Sequence, residues 1–417
     1  MAEERKPLPS LRRDLDIVPV MHEGRPMFVL RDPESAESEN LALSPASMAA
    51  VSLLDGNRDA GQIQSMLRES AGVTVAYADI ERVAGELARA GLLETAEVVE
   101  RRRKILQGFL DSPTRPATLR GVSYPADTLE LARLFGGFAR DAKGPGKPFP
   151  EAPVNGRAPA GLVAPHIDFN RGGPVYAWSY QALAECEPPD VIVALGVAHA
   201  SPASPWAMTP KAYETPWGPM AVDEALYKEI AGALWYDARA DEWVHRKEHS
   251  REFQAVWLRF LWREKTPPWV PILCSTFERW APDRAPSTIS TVEEAIVRIG
   301  ALLQRRAKKQ RVMILAGVDL AHVGPRFGDE LELNAELEKK IEAEDRKSLE
   351  KALALDADGF YLSVVADGHW RKVCGLSATY TALRWLKALG APSGRLLSYG
   401  QAPDPAGGIV SFTSVIF

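Results

Sequence analysis

The chain has 417 residues, 46% hydrophobic and 25% charged, with a formal net charge of −5. These ordinary globular proportions allow a large core and two or three domains. The negative balance gives no reason to expect nucleic acid or an anionic membrane as a partner. No run of about 18 apolar residues is present to span a bilayer. The opening stretch MAEERKPLPSLRRDLDI lacks an apolar segment, so no signal peptide is expected. Cys186, Cys274 and Cys374 are far apart and odd in number, which fits a reducing compartment better than a disulfide framework. A cytoplasmic location is expected.

Residues 12–97 read as a small domain. IVPVMHEGRPMFVLRD gives two short strands around Glu23-Gly24, a hairpin signal. LALSPASMAAVSLLDG gives a short strand, then a helix opened by Ser44-Pro45 and closed at Gly56. NRDAGQIQSMLRES and YADIERVAGELARAGLLET follow as amphipathic helices, with Ile80, Val83 and Leu87 at helical spacing. A hairpin with three helices suggests a winged helix. DNA binding needs clustered cations, but residues 12–96 hold 8 Arg and no Lys against 14 Asp plus Glu, or 8 − 14 = −6. The arrangement, with LLDGNRDAGQIQSML, resembles the PqqD-like peptide-recognition domains. That resemblance implies a peptide docked as an added strand.

AEVVERRRKILQGFLDS continues as a helix whose basic run, Arg101 to Lys104, reads as a solvated face. The expected domains are 1–110, a PqqD-like winged helix plus linking helix, and 111–417. Residues 142–160 are rich in proline and glycine and are expected to be loop.

From about residue 160 the pattern alternates. Strands are expected at 161–164, 191–195, 269–273, 312–316 and 409–416. Helices are expected at 174–185, 222–233, 249–263, 291–309, 328–350, 355–366 and 377–388. This alternation predicts an α/β sandwich with a mostly parallel central sheet. Ligands then bind beyond the carboxyl ends of the strands.

Polar residues collect at those ends. His166 follows GLVA, His199 follows VIVALGVA, and Asp319 and His322 follow VMILAGV. His249 opens the helix EHSREFQAVWLRFL, with Glu252 on the same face. Cys374 precedes Gly375 at the start of another helix. A single histidine at a strand end is ordinarily structural. Four of seven histidines at such positions, with an aspartate and a cysteine, point to a metal or catalytic cluster. Imidazole and thiolate suit borderline divalent ions, and two histidines with one cysteine leave open positions. Asp319 and His322 would hydrogen-bond ligands or move protons. Neither C-x-x-C nor H-E-x-x-H occurs, so structural-zinc and zincin signatures are lacking. His22 reads as exposed, and His245 and His369 as structural. Cys186 and Cys274 read as small buried hydrophobes.

RPATLRGVSYPAD (115–127), VAPHIDFNRGGPVYAWSY (163–180), IVALGVAHAS (192–201), YETPWGPMAVD (213–223), EHSREFQAVWLRFL (249–262), LAGVDLAHVG (315–324) and VCG (373–375) occur in this order. Together they resemble the Memo family, the B component of the AmmeMemoRadiSam system, over about 113–417. Memo proteins are similar in fold to LigB-type class III extradiol dioxygenases. The resemblance implies an iron or copper ion held by His166, His199 and Cys374. It maps the other cleft residues to His249, Asp319 and His322, as catalytic candidates, and Thr215–Gly218 to a loop over the site. It also implies radical SAM and AMMECR1-like partner proteins. The chain departs from the family pattern at His166-Ile167-Asp168-Phe169, where the family commonly reads His-Ala-Gly-Tyr. It departs again at Arg120–Pro125, and at Val318-Asp319 in place of a serine-aspartate pair.

The expected function is a metal-dependent, dioxygenase-like oxidoreductase acting on a small molecule or peptide. One alternative is a non-catalytic accessory protein that binds a peptide or partner of a radical SAM system. Another is a hydrolase using Cys374 with His322 or His249.

Overall fold

The computed structural model describes residues 6–32, 40–405 and 407–417. The chain forms two compact units divided between Gly108 and Phe109.

In the first unit, β1 (Asp16–His22) and β2 (Arg25–Arg31) form an antiparallel hairpin. Glu23 and Gly24 at its turn both have positive φ, 50° and 74°, as a two-residue turn with the twist of its strands requires. β3 (Leu41–Leu43) pairs with β2, giving the order β1-β2-β3. α1 (Pro45–Val51) is capped by Ser44, whose hydroxyl accepts the Ser47 N–H, and Pro45 occupies its first turn. It ends at Val51, short of the expected stop at Gly56. α2 (Ala60–Ala71) carries a capping box from Asp59 and Gln62 and ends at left-handed Gly72. α3 (Tyr77–Arg89) buries Ile80, Val83 and Leu87. They pack with Leu30, Leu43, Ile63 and Leu67 in one core. α4 (Ala96–Asp111) follows.

The second unit begins with β4 (Thr114–Arg115), α5 (Thr128–Arg140), β5 (Gly161–Ala164), α6 (Phe169–Ala184) and β6 (Val191–Val197). β7 (Trp206–Met208), β8 (Ala212–Tyr213), α7 (Glu224–Ala231), α8 (His249–Trp262) and β9 (Trp269–Cys274) come next. Then follow α9 (Ser290–Ala307), β10 (Val312–Gly317), β11 (Asp319–Val323), α10 (Ala335–Leu353) and α11 (Ala357–Val365). The last elements are α12 (Leu376–Leu389), β12 (Arg395–Asp404) and β13 (Gly408–Ile416).

The main sheet runs β11-β13-β5-β10-β6-β9-β7, with β12 on β13. It is mixed rather than mostly parallel. Only β5, β10, β6 and β9 run parallel. β13 pairs antiparallel with β5, β11 and β12, and β7 pairs antiparallel with β9. Alternation along the central strands feeds two cores. Leu162, Ala164, Ile192, Ala194, Met313 and Leu315 face one that includes Phe135, Tyr180 and Trp257. Val163, Val191, Val193, Ile314 and Ala316 face the other, with Ile296, Phe360 and Trp385. Helices therefore cover both faces, which is why these strands read as unbroken apolar runs.

α6 begins at Phe169, five residues before its expected start. Its cap is Asp168, which accepts the Arg171 N–H at 3.1 Å and pairs with the Arg171 guanidinium at 2.5 Å. Arg171 also reaches Asp404 at 3.0 Å. The departure at Asp168 is thus a helix start. Asp319 and His322 lie within β11, and α10 starts at Ala335 rather than near 328. Among the described residues no helix is long and apolar enough to cross a membrane.

Replacing Asp168 with alanine removes the cap and its ion pair. Urea unfolding should show a loss of about 1 kcal/mol, the usual cost of an N-cap.

Candidate metal centre

β5, β10 and β6 are adjacent and parallel, so their carboxyl ends open on one edge of the sheet. His166 lies two residues beyond β5 and His199 two beyond β6. α8 presents its first residue, His249, at the same place. The ring centroids of His166 lie 5.1 Å from those of both His199 and His249, and the latter two stack at 4.7 Å. One nitrogen from each of the three lies within 4.8 Å of the others. His166, 2% exposed, forms the floor, while His199 at 40% and His249 at 36% form the rim.

The tautomers follow from the partners. His166 Nδ1 lies 3.1 Å from the Gly317 carbonyl, which can only accept, so Nδ1 carries the proton and Nε2 keeps its lone pair. His199 Nδ1 lies 3.0 and 3.1 Å from the two Glu248 oxygens, and His249 Nδ1 lies 3.3 Å from one of them. Glu248 also accepts the His199 backbone N–H at 3.0 Å and the Ser250 N–H at 2.9 Å. One carboxylate therefore orients the His199 ring, lies against that of His249 and caps α8. Carboxylate-bound imidazoles with free Nε2 lone pairs are how proteins present histidine to a metal.

The charges fit that use. Burial, then repulsion from His249 and His199, holds His166 well below the usual histidine range. Burial brings His249 down to about 4 against the pull of Glu248. Burial also disfavours charge on His199, but Glu248 and Cys374 outweigh it and raise the ring well above its usual value. Burial alone would raise Glu248. His199 and His249 instead hold it well below the carboxylate range. A cation at this spot would meet neutral imidazoles at His166 and His249, and would compete with a proton at His199.

Cys374 stands before Gly375, the N-cap residue of α12. Its sulfur lies 3.3 Å from His166 Nε2 and 3.8 Å from the Asp319 carbonyl. Burial raises its thiol, against the pull of His199. Gly375 is required here, since a Cβ would lie 2.6 Å from the Asp319 carbonyl. The expected set of His166, His199 and Cys374 is thus gathered, but His249 completes the tightest group.

Asp319 is buried and accepts the His166 N–H at 2.9 Å. Burial lifts its carboxyl to about 7, opposed by the N–H groups of His166 and Ile167. His322, with burial lowering it to about 4, donates from Nδ1 to the Leu320 carbonyl at 3.1 Å. Asp319 therefore holds the backbone of His166, and His322 bonds back to its own strand. The Thr215–Gly218 loop does not lie over the histidines. The Trp217 carbonyl accepts from Arg259, far along α8, about 15 Å of helix axis from His249. Glu252, on the same helix, is buried with Arg115 and the Tyr124 hydroxyl and takes no part in the cluster. His245 is structural, while His369 lines a cavity beside His199. The first accepts the Tyr213 hydroxyl and donates to the Ala207 carbonyl; the second bridges Glu278 and the Val373 N–H. His22 is exposed.

A cavity of ≈ 340 Å³ opens against His199 and Cys374, lined also by Ser275, Thr276, Lys372 and Ser377. Sequence reasoning missed Glu248. Its only signal was its place beside His249 in EHS.

A profile described as Memo-like protein matches residues 115–415. A MEMO1 family protein of Aquifex aeolicus is 26% identical over 395 residues, covering 94% of this chain and 96% of its own length. That span takes in most of the first unit. A MEMO1 family protein of Methanopyrus kandleri is 30% identical over 310 residues, 73% of this chain and 98% of its own. One from Thermus thermophilus is 30% identical over 268 residues, 64% of this chain and 72% of its own.

Glu248→Gln should weaken zinc or cobalt binding by about 10- to 100-fold, the usual effect of losing a ligand's carboxylate partner. His199 should then titrate at lower pH by NMR. Unchanged affinity would contradict the role given to Glu248.

Proposed function

The chain belongs to the Memo-like protein family, and on that premise we propose that it is a metal-binding oxidoreductase. His166, His199 and His249 would hold the ion, with Cys374 as a fourth donor. The observation that carries this reading is the convergence of three histidine nitrogens within 4.8 Å, with His199 oriented by Glu248 and His249 against the same carboxylate. Imidazole and thiolate suit iron, copper and zinc alike, and the family resemblance implies iron or copper. Such an ion would supply a Lewis acid and a one-electron couple.

The chain's own residues would do the rest. Asp319, lifted to about 7, can hold or release a proton near neutral pH beside His166. His322, neutral at that pH, can accept one. The cavity beside His199 and Cys374 would hold a small polar substrate between the hydroxyls of Ser275, Thr276 and Ser377. The helix-covered sheet with its site at the strand ends supports a LigB-like sandwich.

The first unit supports a second role. Its hairpin and helices are compatible with a PqqD-like winged helix, and the edge strand β1 exposes Ile17 and Met21. A peptide adding to that edge would fit an accessory task beside radical SAM and AMMECR1-like proteins, in the cytoplasm.

Protein purified without oxygen should carry close to one iron or copper per chain, and His166→Ala should lose most of it. Equal metal content in the variant would remove His166 from the ligand set. Metal affinity should rise with pH, because the ion displaces the proton that Glu248 stabilises on His199. Pairing proton release with calorimetry in two buffers checks this.

A further inference from the structure

Arg251 is fully buried two residues into α8, beneath the histidine cluster. All three of its guanidinium nitrogens lack a hydrogen-bond partner among the described residues. Most buried guanidinium groups lie in paired geometry. Arg115 shows that arrangement in the same unit, bonded to Glu252 and to the His245 and Glu248 carbonyls.

The fold makes specific room for Arg251. Gly196 and Gly317 are direct partners across β6 and β10. A Cβ on Gly196 would lie 2.3 Å from Arg251 Nε, and one on Gly317 would lie 2.1 Å from Nη2. The two glycines form a notch that the guanidinium fills. Gly317 also supplies the carbonyl that orients His166. The carboxylate whose field reaches Arg251 is Glu248, which already serves His199, His249 and Ser250.

A buried, unbonded charge costs stability, and such costs persist where function requires them. We propose that Arg251 is a fixed positive charge behind the metal centre that selects for the lower-charged ion, monovalent over divalent. In a medium of low polarity, repulsion between Arg251 and a bound ion doubles when the ion's charge goes from one to two. The same repulsion favours the reduced form of a one-electron couple. Arg251 acts through space on the bound ion, so it is a specificity-determining residue and not a ligand. This inference rests on the metal-binding reading above.

Cu(I) and Co(II), used without oxygen as singly and doubly charged probes, test it by chelator competition on the full chain. Arg251→Met and Arg251→Gln should lower the ratio of Cu(I) to Co(II) affinity about tenfold or more, as expected for a unit charge within about 12 Å at an effective dielectric near 20. Arg251→Lys, which keeps the charge, should hold the ratio near that of the unchanged protein. Both neutral variants should melt at or above its temperature, because an unbonded charge has been removed. A ratio unchanged in the neutral variants overturns the inference while the metal reading stands. Failure of both neutral variants to fold also overturns it, since it would show that the guanidinium is bonded within the protein. Absence of any metal binding in the unchanged protein overturns the metal reading and this inference together.

Discussion

The site depends on one carboxylate. Glu248 accepts hydrogen bonds from the ring of His199, the backbone of His199 and the first turn of α8, and it lies against the ring of His249. It therefore ties a loop after β6 to the start of a helix, and it orients the ring of His199. The interaction is local in space but not in sequence: His199 and Glu248 are 49 residues apart. Without it, that half-exposed ring would be free to turn, and a metal would have to order it at its own entropic cost.

The sheet supplies the rest of the alignment. Three adjacent parallel strands end together, so residues two beyond β5 and β6 meet without further support. The glycines at the ends of β6 and β10 bring α8 close, because no Cβ stands between the strands and Arg251. The antiparallel strands β13, β11 and β12 close the other side. β11 carries Asp319 back under His166 and gives Gly375 a carbonyl to rest on. In this way Cys374 reaches the cluster from the far end of the chain.

Much of this was legible in the amino-acid pattern. The apolar runs before His166 and His199 marked strands buried on both faces, and ligand chemistry at their ends follows from the geometry of α/β sheets. The hairpin at Glu23-Gly24 and the capped helices of the first unit were legible for local reasons, since turn and cap residues act over three or four positions. Other features were not. The helix α6 started at Asp168 because its aspartate caps three residues ahead, a local signal that the proline at 174 obscured. β12 went unread because its half-buried pattern looks like loop, and β11 because it begins two residues after β10 and reads as that strand's end. The Thr215–Gly218 loop was misplaced because its anchor, Arg259, lies on another element.

Residue type and order determined that this chain would build an α/β unit and carry histidines at its strand ends, because periodicity and chain punctuation act locally. Tertiary structure alone decided which histidines share a centre, that His249 stands with His166 and His199, and that Glu248 orients the ring of His199. It alone left Arg251 buried without a hydrogen-bond partner among the described residues. Those outcomes depend on distances between residues tens to hundreds of positions apart, and only the packed sheet and helices set such distances.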